Sequence, residues 1–141
     1  MTQTAQDTRT LVFERNLPQP PEKVWRALTE AGLIEQWLMK NDFKATKGHK
    51  FQFRVETPYS LVVESEVLTA TPHQELSYRW DSNGLESIVT WTLTPTAGGT
   101  HLRMEQSGFK ADPSHDQFYE GAKYGWVGFL DGLERVAATV A

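Results

Sequence analysis

The sequence contains no cysteine, which excludes disulfides, thiolate catalysis and cysteine-based zinc sites. It also lacks any run approaching the roughly 18 apolar residues that a helix needs to cross a bilayer. Met1 to Thr8 are polar, without the apolar stretch of a signal peptide. Basic charge is in short supply: 14 Lys and Arg against 18 Asp and Glu give a formal charge of −4. No stretch interleaves Lys and Arg with aromatics, so neither nucleic acid nor a membrane is an expected partner. A soluble, cytoplasmic protein is expected.

Catalytic patterns are missing as well. His49, His73, His101 and His115 are scattered over turns, a wet strand face and a helix approach. None lies at the H-x-x-x-H spacing of a metal site, and no metal or cofactor is predicted. There is no G-x-S-x-G elbow and no glycine-rich phosphate loop after a strand. Glu64 and Glu66 share one side of a strand, where a solvated face is a better reading than an acid/base pair. The expectation is a protein that is not an enzyme.

What the chain does hold is aromatics. Five Trp, seven Phe and four Tyr occur in 141 residues, a length that fits one domain, 1–141, with its core at about 9–140. Buried indoles need a partner for their N–H, so five of them imply either an irregular interior space or careful core filling.

Arg9 to Leu17 reads as a strand ending at Pro18. Pro21 suits the first turn of a helix, and Val24, Trp25, Leu28, Leu33, Ile34, Trp37 and Leu38 then recur at helical spacing, with Gly32 read as the break between two short helices. From Gly48 onward the period becomes two. Phe51, Phe53 and Val55 alternate with polar residues; Leu61 to Thr71, Leu76 to Asp81, Val89 to Thr94 and Leu102 to Ser107 follow as strands. The turns between them are read at Pro58-Tyr59-Ser60, Pro72-His73-Gln74, Ser82-Asn83-Gly84 and Pro95 to Gly99. Short connections imply antiparallel pairing. Val89, Trp91, Leu93, Leu102 and Met104 are expected inside, with Thr90, Thr92, Arg103 and Glu105 outside.

After Asp112-Pro113, with Ser114 as the expected cap, a long helix follows whose stripe is Phe118, Ala122, Trp126, Phe129, Leu130, Leu133, Val136, Ala137 and Val140. Gly121, Gly125, Gly128 and Gly132 lie inside it. Each costs about 1 kcal/mol relative to Ala, so either the helix approaches its neighbours closely or room is kept for a ligand. Gln106 is the one polar side chain that alternation points inward; Tyr78, a backbone group or a ligand would satisfy it.

Six segments in order, PPEKVWRALTE, LIEQW, GHKFQF, ELSYRW, VTWTLTPTAGGTHLRMEQSGF and YGWVGFLDGLERV, make the chain resemble the SRPBCC (START-like, Bet v 1-like) superfamily. Within it, the likeness is to the activator-of-Hsp90-ATPase homologue 1-like branch. The resemblance covers about Leu11 to Val140. It implies an α+β helix-grip fold: a curved antiparallel sheet wrapped around a long C-terminal helix, two short helices after the first strand, and a deep apolar cavity. Gly48-His49, Ser65 and Glu75 depart from the family pattern, in which two glycines, a glycine and an arginine are common.

The resemblance implies a container rather than one chemistry. The first expectation is binding of a hydrophobic small molecule, lipid-like or polycyclic aromatic, in a cavity of about 300–1,000 Å³. Its expected lining is Trp37, Phe51, Phe53, Tyr78, Trp80, Trp91, Met104, Gln106, Phe118, Trp126 and Phe129. The alternatives are a chaperone- or stress-related regulator acting through its surface, with a protein partner, or a cyclase/dehydratase-like enzyme. A monomer or a homodimer is compatible with the sequence.

Overall fold

Alternating apolar and polar residues from Leu61 to Ser107 produce the central strands of the computed structural model, which describes residues 8–56, 60–82, 84–110 and 113–140. The chain runs β1 (Thr8–Leu17), α1 (Pro21–Thr29), α2 (Ala31–Trp37), β2 (Lys40–Asn41), β3 (Lys50–Val55), β4 (Leu61–Thr71), β5 (Glu75–Ser82), β6 (Leu85–Thr96), β7 (Gly99–Lys110) and α3 (Asp116–Ala137). The seven strands form one curved antiparallel sheet in the order β1-β7-β6-β5-β4-β3-β2. Consecutive strands pair with their neighbours except β1, which crosses over to the far edge beside β7. The two short helices occupy that crossover, and α3 lies along the inner face. This is the α+β helix-grip arrangement.

The register agrees with the alternation. Trp91 pairs with Met104 and Leu93 with Leu102, and all four side chains are buried together with Val89, whereas Thr90, Thr92, Arg103 and Glu105 on the opposite face keep partial exposure. Because strand side chains alternate strictly, one inward residue fixes the rest. Pro21 opens α1, as expected from its fixed φ and missing N–H. In α1, Val24, Ala27 and Leu28 form the buried stripe against the sheet and α3.

Three local expectations are corrected. The break between α1 and α2 falls at Glu30, which is extended at φ −90° and ψ 120°, while Gly32 sits inside α2 with nothing near the place of its absent side chain. Ser114 does not cap α3: it lies in a 3-10 turn (Pro113–His115), and the helix starts at Asp116 after His115 without a side-chain cap. The loop expected over Pro95 to Gly99 is shorter, because β6 runs to Thr96 and β7 begins at Gly99. Gly99 adopts φ +154°, and a Cβ there would lie 2.0 Å from the Leu17 carbonyl oxygen, so only glycine permits this tight return beside the end of β1. Strand β2 escaped notice because two residues carry no period. Residues Pro58, Tyr59, Asn83 and Asp112, parts of expected turns, lie outside the described residues.

The core is one cluster in which aromatic rings form a connected chain. Phe43 meets Phe51 at 5.0 Å between centroids, Phe51 meets Phe53 at 5.1 Å, and Phe53 meets Trp80 at 5.2 Å. Trp80 then meets Trp126 at 5.3 Å, Trp126 meets Trp91 at 5.8 Å, and Trp91 meets Trp37 at 5.8 Å. Most pairs are edge-on, the geometry that ring quadrupoles favour.

Candidate ligand cavity

Helix α3 changes role along its length. Its C-terminal half, with Leu130, Leu133, Val136 and Ala137, is buried against the two short helices. There Gly132 is packed so closely that a Cβ would stand 3.2 Å from the Trp37 Cβ. Its N-terminal half stands off the sheet. A Cβ at Gly121 would meet nothing within 4 Å, and one at Gly125 would meet only the Phe129 ring, at 3.9 Å. The space so kept is a cavity of about 270 Å³ between β5, β6, β7 and α3, walled chiefly by Trp80, Leu85, Phe118, Trp126 and Phe129. Met39 and Leu61 also line it, and Ser82, Gln106 and Gln117 supply its polar groups. Among the described residues that line it, none carries a charge.

Gln106 is 1% exposed and is held at both ends of its amide. Its Oε1 accepts the Trp126 Nε1–H at 2.7 Å, and its Nε2 donates to Ser87 Oγ at 3.0 Å. Ser87 in turn donates to the Trp80 carbonyl at 2.6 Å. An indole N–H only donates, and the Ser87 proton is committed elsewhere, so the orientation of the amide follows from its partners. Gln106 thus has internal partners, but Tyr78 is not among them.

Of the eleven side chains expected to line the cavity, Trp80, Gln106, Phe118, Trp126 and Phe129 do so. Trp37, Phe51, Phe53, Tyr78, Trp91 and Met104 point inward but lie in the packed part of the core, away from this space. Trp37 donates its indole N–H to the Ala27 carbonyl at 2.8 Å. Trp91 donates to the Tyr78 hydroxyl at 2.9 Å, and burial raises the Tyr78 pKa well above its ordinary value, against the opposing pull of the Trp91 N–H. Met39, Leu61, Ser82, Leu85 and Gln117 were missed. Their lining role comes from the link between α2 and β2, the ends of strands and the first turn of α3, where periodicity carries no signal.

Two other recesses lie away from α3. One of about 420 Å³ on the wet face of β3–β5 mixes Lys50 and Arg79 with Asp42, Glu64, Glu66 and Asp81. Glu64 itself accepts a bond from Gln52 Nε2 at 2.8 Å, in keeping with a solvated face. Another, of about 790 Å³, lies beside Glu22, His73 and Glu75. No group of three or more His, Asp or Glu is arranged to hold a metal ion among the described residues. Among those residues no helix is long and apolar enough to cross a membrane.

The sequence matches the family described as activator of Hsp90 ATPase homolog 1-like protein over residues 18–138. Among solved structures, a Mesorhizobium loti protein is 48% identical, with a TM-score of 0.88 and coverage of 94% of this chain and 99% of that one. A Chromobacterium violaceum protein is 27% identical, with a TM-score of 0.74 over 93% of this chain and 96% of its own. DynU16, a protein of the dynemicin biosynthetic locus, is 27% identical with a TM-score of 0.79; the match covers 92% of this chain but 47% of DynU16. No curated protein matches the sequence.

Proposed function

This chain belongs to the activator of Hsp90 ATPase homolog 1-like family, and from that premise we propose that it is a cytoplasmic binding protein for a small hydrophobic molecule. The observation that carries this reading is the cavity of about 270 Å³ between sheet and α3, walled by three aromatic side chains of the helix and by Trp80. The space opens to solvent past Gln117 and Gly121, and concave, mostly apolar recesses with a few placed polar groups are the usual form of small-molecule sites. The cavity's volume lies just below the roughly 300–1,000 Å³ of sites for drug-sized ligands, which limits the occupant to a compact molecule. Among the described residues that line the cavity there is no acid, base or nucleophile of perturbed pKa, which favours carriage or sensing over catalysis.

Titration with flat aromatic compounds and fatty acids, followed by tryptophan fluorescence, tests the proposal. Trp80 and Trp126 line the cavity, so an occupant is expected to shift the emission saturably, and Gly125→Leu should abolish the response while leaving the fold intact. If no compound of either kind perturbs the wild-type emission, the carrier reading fails. The second reading, a regulator that acts on a chaperone through its surface, rests on Tyr124 and Val127. They share one face of α3 and are 87% and 45% exposed.

A further inference from the structure

The hydrogen-bond capacity of Gln106 says more about the occupant than the cavity's size does. A carboxamide has two N–H groups and two oxygen lone pairs. Trp126 takes one lone pair and Ser87 one N–H, and no other bond to Gln106 occurs among the described residues. One donor and one acceptor therefore remain on a side chain that is 1% exposed and forms part of the cavity wall. A buried N–H without an acceptor is costly, and an oxygen on a cavity occupant would supply one. Among the described lining residues none is charged, and this sets the sign of that oxygen. A carboxylate or phosphate would enter with no cation to meet it, and burying an unpaired charge is far more costly than burying a hydroxyl.

We propose that the cavity takes an uncharged aromatic of one or two rings bearing a hydroxyl or ketone oxygen, with that oxygen on the Gln106 amide and the rings between Trp80, Trp126, Phe129 and Phe118. A hydroxyl is the fuller match, because it accepts from Nε2 and donates to Oε1 at once. Ser87 and Trp126 act as positioning residues: they hold the amide in one orientation. The inference rests on the cavity reading above and goes beyond it by selecting against fatty acids.

Equilibrium dialysis of the full chain at neutral pH against naphthalene, naphthol and naphthoate separates the two levels. Naphthol is expected to bind about five- to tenfold more tightly than naphthalene, the span of one well-made net hydrogen bond, and naphthoate at least about tenfold more weakly than naphthol. Gln106→Leu should make naphthol and naphthalene equal; should that variant fail to fold, the wild-type series decides alone. Equal binding of naphthol and naphthalene by the wild type overturns the role of Gln106 while leaving the cavity reading in place. Naphthoate bound as tightly as naphthol overturns the selection for uncharged ligands. If none of the three binds, the cavity reading falls and this inference with it.

Discussion

Tyr78 keeps its hydroxyl at the centre of the sheet's inner face, 2% exposed, where it accepts the Trp91 indole N–H at 2.9 Å. Burial penalises the phenolate, and this outweighs the Trp91 N–H, which would favour it. The folded protein therefore holds the Tyr78 proton more tightly than the unfolded chain, whose tyrosines titrate at about 10. The sign of the linkage follows. The contribution is whole below about pH 10 and is lost as the pH climbs from there toward the folded value, at a slope approaching about 1.4 kcal/mol per pH unit. Urea melts of wild type and Tyr78→Phe from neutral to strongly alkaline pH should show the wild type losing stability faster. At neutral pH the variant should be about 1–3 kcal/mol less stable, because it strands the Trp91 N–H. Parallel alkaline limbs would refute the assignment. Ser65, on the inner side of β4, is the converse case: its Oγ is buried with no partner, where the family pattern often has a glycine.

Within α3 the four glycines fall into separate classes although the sequence presents them alike. Gly132 is a close-approach glycine, with its α-hydrogen face against Trp37. Gly121 and Gly125 border the cavity. Gly128 faces open space on the exposed side of the helix, and nothing in the structure explains it. Gly128→Ala should therefore stabilise the protein by up to about 1 kcal/mol, through helix propensity and a less flexible unfolded chain. Gly132→Ala should give no gain and a lower melting temperature, because its methyl would press on the Trp37 Cβ at 3.2 Å. Thermal unfolding of the two variants side by side checks the contrast; equal gains would mean that α3 is not seated on α2 as described.

Across the whole molecule, Trp126 joins the packed half of the core to the hollow half. It is 2% exposed, its ring contacts those of Trp80, Trp91 and Phe129, and its other side borders the cavity. Trp126→Ala would enlarge an existing space rather than open one in solid packing. The cost should thus fall at the lower end of the roughly 3–5 kcal/mol seen for such truncations. Naphthol affinity should drop at the same time, since a wall and the partner of Gln106 Oε1 disappear together. Urea denaturation with and without naphthol measures both effects. A large stability loss with unchanged affinity would place the binding site elsewhere.

The period-two pattern of Phe51, Phe53, Leu76, Tyr78, Trp80, Val89 and Trp91 determined the strands and which side chains point inward, because a pleated strand offers each residue only one of two faces; the short connections determined the antiparallel pairing. The 3.6-residue stripe of α3 determined the covering helix in the same way. Neither pattern contains depth. Trp91 and Trp126 are both inward-facing tryptophans, yet one is sealed by Trp37 and Tyr78 while the other borders open space. That division depends on where α3 is held close to α2 by Gly132 and where it stands off the sheet. It is a property of how elements far apart in sequence meet, and for that reason only the tertiary structure could decide which of the aromatic side chains fill the interior and which surround a cavity.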